Sequence, residues 1–553
     1  MNKKVCSFPI LFALLALLIG TCAVVFPASA QAAPTSTGSI TVSGTVASRY
    51  DAYQIFSANV VDGDSDAKIA TDLAWASDAV RDAALPVLHS AGMPNSQTTA
   101  QEAAEWLNTD SHLTSALSAQ LARSLQSSGA RPAALNAGTT AELPCGYWLI
   151  VADDDAIAQD EAGTAPIMAL VGGSAVTVKP KAATPKVKKH VLEDSTAAWQ
   201  KAADATVADD LYWRLSATVP AGLTAYDTYT VKFVDTMSAG LDPSKVAASM
   251  RVYVAAGADG GFDAVSCEGG SASSTPAKGW TDITSQCRVS VEGKAFTVRT
   301  GDLIAALGGA DAFTAGARVV AVYNAPLNSA CNHGIAKGNP NEVYLRYPRS
   351  PFADQSGDAG FTRTPSDDAC AYTWDLALTK RGSDGDKPLA GAVLSIADDR
   401  GRTLAADGTW DAEGKATVTT GEDGRVTVSG VDSGKLEVRE LKAPKGYTAF
   451  EGTRSVTVKA EGLDVDQVAA AKPKLTITAE SPLRADSADG STGSLEASLI
   501  NTPTGTPPSI TTGGFMPSTG DMAMYAAAAA AVAGAALIVV ALLVKRGGGS
   551  HKE

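Results

Sequence analysis

Lys435-Leu436-Glu437-Val438-Arg439-Glu440-Leu441-Lys442-Ala443-Pro444-Lys445-Gly446-Tyr447 alternates apolar and charged residues and then breaks at a Pro-x-Gly turn. Successive side chains of a strand point to opposite faces, so Leu436 and Val438 share a face with Glu440. A carboxylate thus continues a face that should be buried. Two nearby runs behave alike: Trp374, Leu376 and Leu378 share parity with Lys380, and Leu495, Ala497 and Leu499 share parity with Asn501. Such short runs, rich in Val, Thr, Tyr and Leu and separated by Gly, Asp and Pro clusters, fill residues 371–502 and 181–351. That is the spacing of β-sandwiches rather than of βαβ units.

Residues 181–351 repeat the arrangement. Val187 and Val191 bracket Lys189; Tyr229, Val231 and Phe233 lead to Asp235; Asn341 precedes Val343, Leu345 and Tyr347. A lone charge in an apolar core is so costly that the group neutralises instead, the amine pKa falling and the carboxyl pKa rising. A neutral amine beside a protonated carboxyl and a carboxamide is a reactive set. The amine attacks the Asn carbonyl carbon, the acid polarises the carbonyl and relays protons, ammonia leaves, and an amide joins two side chains once, without turnover. Taken singly, each lysine also fits a snorkelling side chain or an ordinary ion pair. Recurrence of Lys, acid and Asn in the same chain order favours the reaction. Lys188 and Asn339 are rivals to Lys189 and Asn341, and strand parity favours the latter pair.

Residues 38–180 read differently, with a strand-like opening, an Ala-rich helical middle and a strand-like return at Tyr147 to Val151. Thr99-Ala100-Gln101-Glu102 fits a capping box, and Leu113, Leu117, Leu121 and Leu125 mark one helix stripe. No Lys, acid and Asn triple is evident there. Asp62-Gly63-Asp64-Ser65-Asp66 opens like a calcium loop, but Ala67 stands where the turn needs Gly and Leu73 where Glu is needed, so a solvated acidic turn is the better reading. Between Pro351 and Ala371 the Asp, Gly and Pro content is that of a linker.

The two ends read as processing segments. Residues 1–30 have a basic start at Lys3 and Lys4, an apolar run from Pro9 to Gly20, and Ala28-Ser29-Ala30 as a cleavage site, making Gln31 the expected mature N-terminus. Thr21 before Cys22 disfavours a lipoprotein signal. At the other end, 522–544 is an uncharged run of 23 residues, enough to span a bilayer, and the tail 545–553 begins with Lys545 and Arg546, which places it in the cytoplasm. Residues 503–520 form a Thr/Pro/Gly stalk that ends in Met516-Pro517-Ser518-Thr519-Gly520.

The net charge of −14 argues against a nucleic-acid partner. Five histidines and no Cys/His cluster at zinc spacing give no metal site, and no cofactor is expected. An exported enzyme is disfavoured further by the lack of a Gly-x-Ser-x-Gly elbow. In an exported chain Cys267 with Cys287, and Cys331 with Cys370, are plausible disulfides by proximity, with Cys145 left over; sequence alone does not fix the pairing.

The stretch 435–447 resembles the E-box of Gram-positive pilins, a strand ending in Glu followed by x-x-Ala-Pro-x-Gly-Tyr. With Pro388-Leu389-Ala390-Gly391-Ala392, residues 371–502 are similar to collagen-adhesin B-type modules. The resemblance implies that Lys380 and Asn501 are joined with help from Glu440, and that Lys189 and Asn341 are joined with help from Asp235. Tyr53-Gln54-Ile55-Phe56 and Gly146-Tyr147-Trp148-Leu149-Ile150 make 38–180 similar to a pilin N-terminal module. Residues 516–520, the apolar span and the basic tail resemble a cell-wall sorting signal, with Met516 in place of the usual Leu. That implies cleavage by a sortase between Thr519 and Gly520, with transfer of the Thr519 carbonyl to an amine. Shaft pilins carry the acceptor in a Tyr-Pro-Lys segment; here Lys179-Pro180-Lys181 lies at that junction, and Lys181 is the candidate, with Lys179 and Lys186 as alternatives.

The expected molecule is therefore mainly β: tandem Ig-like β-sandwiches preceded by a mixed α+β domain, between a cleaved signal peptide and a C-terminal transmembrane helix. The resemblance implies a structural shaft subunit of a covalent surface pilus, secreted and wall-anchored after transient membrane anchoring. Its partners would be a sortase, identical subunits and peptidoglycan. A monomeric wall-anchored adhesin needs only the sorting signal, and would add a host surface ligand as partner.

Overall fold

The computed structural model describes residues 36–505, apart from 65, 66, 110, 164, 181–183, 222, 223, 269, 270, 310 and 314. The signal peptide, Lys181, the sorting pentapeptide 516–520 and the apolar run 522–544 lie outside the described residues. Among the described residues no helix is long and apolar enough to cross a membrane.

The chain is mainly β, with strands in several sheets. In the first region the strands Lys68–Trp75, Arg49–Asp62, Gly146–Ala152 and Ile167–Val171 form a sheet, joined by Ala133–Asn136. Strand alternation gives it two apolar faces. Leu149 and Val151 pack against the helices Asp78–Ser90, Ala100–Asn108 and Ser115–Ser127, while Trp148 and Ile150 face a smaller sheet built from Thr140–Pro144, Thr37–Val42 and Val176–Val178. Thr99 and Glu102 form the expected reciprocal cap. Leu117, Leu121 and Leu125 are buried on one helix face, whereas Leu113 lies just before that helix. The acidic turn is structural: Asp62 Oδ1 accepts from the backbone N–H and hydroxyl of Ser174.

The middle region is two facing sheets. One runs Ala198–Gln200, Lys186–Glu193, Tyr212–Val219, Ala317–Asn324, Arg251–Ala256, Thr281–Asp282; the other runs Ala202–Asp204, Asp367–Tyr372, Asn339–Pro348, Lys232–Met237, Ala295–Arg299, Arg288–Glu292, with Phe361–Arg363 beside Asn339–Pro348. Trp213, Leu215, Phe233, Val319, Tyr323, Val343 and Leu345 fill the space between them. The expected linker 351–371 is thus corrected in part. Ala369 and Ala371 face the middle core while Cys370 and Tyr372 face the next one, so Asp367–Tyr372 is a strand shared by two cores.

In the last region the first and last strands, Trp374–Gly382 and Ser494–Pro503, lie side by side in parallel, with Lys380 opposite Leu499 and Gly382 opposite Asn501. Arg425–Val431 and Leu483–Asp489 flank them, and a second sheet centred on Val393–Ala397, Gly434–Lys442 and Thr453–Glu461 covers their apolar face.

The middle and last regions meet backbone to backbone. Val207 N–H donates to Gly430 O at 2.9 Å, and Ile335 N–H to Gly490 O at 3.1 Å. Asp204 Oδ2 accepts from Trp374 Nε1 at 2.6 Å and from Ser433 N–H at 3.0 Å. Gly334 holds φ +73°, and a Cβ there would lie 2.5 Å from Gly493 N. Gly334→Ala is therefore expected to prise this junction open while both cores stay folded. Limited proteolysis should then cut faster within 333–337 and 490–493; an unchanged digestion pattern would contradict the packing described.

Candidate functional site

Strand parity brings the expected groups together in both cores. Lys189 is fully buried between Val187 and Val191, while Lys188 is exposed, so the rival lysine points to solvent. Lys189 Nζ pairs with Asp235 Oδ2 and donates to Tyr323 Oη at 2.9 Å. The Trp213 and Tyr323 rings lie 5.5 and 5.4 Å from Nζ. Asp235 and Asn341 are also fully buried, on neighbouring antiparallel strands of the opposite sheet with Met237 opposite Asn341. Asn339 is buried too, but its carboxamide is committed to Asn332 and to Ala371 O. Asn341 Nδ2 instead donates to Tyr323 Oη at 2.8 Å.

Two oxygens of this site, Asp235 Oδ1 and Asn341 Oδ1, are buried without a hydrogen-bond partner. Such orphans are rare and costly. A proton on Asp235 makes it a donor in a site otherwise short of donors. Burial drives the carboxyl that way: desolvation pushes Asp235 above the usual carboxylate range despite the opposing pull of Lys189. Desolvation likewise lowers Lys189 from 10.5 to about 8, against the attraction of Asp235 and with the charge of Lys201 assisting.

Lys201 and Asp367 brace the site from behind. Lys201 Nζ donates to Lys189 O at 2.8 Å and pairs with Asp367, whose Oδ2 also accepts from Lys189 N–H at 2.6 Å. The backbone carrying the amine is thereby clamped.

In the last core Lys380, Glu440 and Asn501 meet the same way. Lys380 Nζ lies 3.4 Å from Glu440 Oε1, and Asn501 Nδ2 donates to that oxygen at 2.9 Å. Phe450 N–H fixes the other carboxylate oxygen at 3.1 Å, and Asn501 Oδ1 is an orphan like Asn341 Oδ1. Desolvation lowers Lys380 to about 8. Lys and Asn here sit on adjacent strands of one sheet with the acid across from them, whereas in the middle core Lys189 faces Asp235 and Asn341 across the sandwich.

The expected disulfides are not formed: all five described cysteines are free thiols. Cys287 and Cys331 pack against the middle core, Cys370 against the last one, and Cys267 sits on the hairpin Val265–Glu268/Ser271–Pro276. Among the described residues no His, Cys, Asp and Glu group is arranged to hold a metal. Lys179 and Lys186 are exposed. Tyr323, Lys201 and Asp367 escaped the sequence reading. Tyr323 was findable, since it shares parity with Val319 and Ala321 and so carries a hydroxyl into the core.

A second polar cluster also went unread. Glu193, Asp194, Asp204 and Asp432 converge where the middle and last regions meet; desolvation and mutual repulsion push Glu193 up to about 7 and Asp432 well above the carboxylate range. Glu193 shares parity with Val187, Lys189 and Val191, the signal that gave Lys189.

Residues 375–472 match the family model described as SpaA, prealbumin-like fold domain. A stretch of 143 residues is 30% identical to the trypsin-resistant surface T6 protein of Streptococcus pyogenes serotype M6; it covers 24% of this chain and 24% of that protein, so the chain spans about a quarter of that relative's length. Among solved structures, the T6 backbone pilin of serotype M6 Streptococcus pyogenes aligns over 85% of this chain and 98% of its own, with 16% identity and a TM-score of 0.46. The major pilin SpaD of Corynebacterium diphtheriae aligns over 85% and 98%, with 14% identity and a TM-score of 0.40.

The depressed lysine gives a pH signature in a protein that cannot form the link. Between pH 8 and 10.5 the unfolded chain binds a proton at Lys189 that the folded chain does not, so stability rises with pH there. Denaturant unfolding of Asn341→Ala is expected to show this rise relative to Asn341→Ala/Lys189→Met. Parallel curves would mean that Lys189 is not desolvated.

Proposed function

We propose that the chain is a structural shaft subunit of a covalently polymerised Gram-positive pilus, stiffened by Lys189–Asn341 and Lys380–Asn501 isopeptide bonds. The observation that carries the reading is the duplicated site: two buried lysines, each beside an acid and an asparagine whose carbonyl oxygen has no partner. The SpaA-domain match and the identity to the T6 surface protein support it.

In this reading folding performs the chemistry. Packing holds the amine near the carboxamide, which replaces a bimolecular encounter with an oriented one. Proton transfer from lysine to the neighbouring carboxylate leaves a neutral nucleophile and a neutral acid. The amine adds to the Asn carbonyl carbon, the acid stabilises the developing oxyanion, the carbon–nitrogen bond of the carboxamide breaks, and ammonia leaves. The proton first taken from lysine leaves with the ammonia as ammonium, so the acid ends as the carboxylate it began as, and each site closes once without turnover.

Assembly is the second half of the proposal. Sortase would cleave after Thr519 and pass its carbonyl to Lys181 of the next subunit, with Lys179 and Lys186 as alternative acceptors and peptidoglycan as the final one. The transient anchor would be 522–544. Units 38–180, 181–351 and 371–502 would then repeat along the shaft, the second reaching on through Asp367–Tyr372.

Intact-mass measurement of the purified protein tests the internal bonds. Each closure loses about 17 Da, so the two bonds give about 34 Da, Asn341→Ala or Asn501→Ala halves the deficit, and a full-mass protein refutes the reading. Polymerisation is tested separately: Lys181→Ala should leave monomers on the wall, and an undiminished high-mass ladder on denaturing gels would exclude Lys181 as the acceptor.

A further inference from the structure

The two sites solve one geometric problem differently. In the last core a single carboxylate oxygen, Glu440 Oε1, reaches both Lys380 Nζ and Asn501 Nδ2. Asp235 is one methylene shorter. Its Oδ2 holds Lys189 Nζ, but Asn341 Nδ2 is held by Tyr323 Oη at 2.8 Å. The same hydroxyl accepts from Lys189 Nζ at 2.9 Å and donates to Asp235 Oδ2 at 3.1 Å, so it touches the nucleophile, the acid and the leaving group together. Tyr323 is fully buried and its ring is fixed edge-on against Phe296, with centroids 4.8 Å apart. Burial and the charge of Asp235 hold the phenol well above its usual range, which excludes a phenolate base and leaves a hydroxyl relay.

We propose that Tyr323 is a catalytic residue of the middle-core closure, the bridge that carries a proton from the attacking amine to the departing amide nitrogen, so that Asp235 and Tyr323 together do what Glu440 does alone. The inference rests on the isopeptide reading above. Addition of neutral Lys189 to Asn341 Cγ makes the Nζ–Cγ bond and leaves Nζ with a surplus proton. That proton passes to Asp235 Oδ2 as the acid proton, carried on Oδ1, goes to the Asn341 oxyanion, from which Oδ1 takes it back when the carbonyl re-forms. As Oδ2 returns a proton to Tyr323 Oη, Oη gives its own to Asn341 Nδ2; the Cγ–Nδ2 bond then breaks and ammonia leaves. Asp235 and Tyr323 finish with the protons they started with.

The test follows closure in the full chain after synthesis, by mass spectrometry of the Lys189–Asn341 and Lys380–Asn501 linked peptides, the second serving as an internal clock and a check of folding. Tyr323→Phe is expected to slow the first link roughly 100-fold, within the range of a lost proton-transfer group, and to leave the second unchanged. Adding Asp235→Glu to Tyr323→Phe should restore most of the rate, because the longer carboxylate spans both nitrogens as Glu440 does. Closure of Tyr323→Phe at the unaltered rate overturns the proposal. So does a double variant as slow as Tyr323→Phe alone, which would assign Tyr323 to packing. Absence of the Lys189–Asn341 peptide from the unaltered protein would instead remove the isopeptide reading itself.

Discussion

An amine held out of water against a carboxamide is the constraint on which both cores depend. Neither Lys189 nor Lys380 gains from burial as a cation: an ion pair in a dry interior often recovers less than its desolvation costs. Each is nonetheless enclosed by two sheets, with one carboxylate as its ionic partner. An arrangement so poor as a salt bridge makes sense as a reactant state. In the proposed closure, conversion to an amide would remove the charge and join the lysine to a carboxamide whose carbonyl oxygen has no partner, so the hydrophobic packing that makes the ion pair expensive would also drive its disappearance.

The surrounding fold serves that placement. In the middle core, Lys189 and the Asp235/Asn341 pair come from facing sheets, so the reactants meet only when the sandwich closes. Lys201 and Asp367 clamp the Lys189 backbone from the strand pairing behind it. In the last core, Lys380 and Asn501 are set by parallel register within one sheet, and closure of the sandwich brings in only the acid. Glu440 therefore needs reach, and its second oxygen is fixed by Phe450 N–H so that the first can span both nitrogens.

How much of this was legible follows from what parity can and cannot encode. Alternation placed Lys189, Asp235, Asn341, Lys380, Glu440 and Asn501 inward, because a period of two is a local property of the chain. It also separated Lys189 from Lys188. For the asparagines the parity argument made above fails, since Asn339 and Asn341 share the inward parity; only the hydrogen bonds that tie Asn339 to Asn332 distinguish them. Pairing of cysteines failed for a similar reason: sequence proximity says nothing about which core a sulfur enters, and Cys331 and Cys370 enter different ones. The stretch 351–371 looked like a linker because its composition is polar, yet the short alternation Ala369-Cys370-Ala371-Tyr372 was enough to make a strand with a core on each side.

With both links in place, the path of tension through the two cores is defined by the bonded positions. In the last core, load entering at Trp374 runs to Lys380, crosses to Asn501 and leaves at once, so everything from 381 to 500 is bypassed. In the middle core it crosses from Lys189 to Asn341, but must then travel from Glu342 to Thr373 before reaching the next link. That segment is held by non-covalent pairing alone: Asn339–Val343 against Asp367–Ala371, and Lys201 against Asp367. Non-covalent domains are worth only about 5–15 kcal/mol in total. The Lys201–Asp367 pair, which contributes nothing to the closure chemistry directly, thus anchors the last of the strands in that segment, Asp367–Tyr372, against peeling. Its burial between Lys189 O and Asp368 O ties that strand to the cross-linked backbone itself.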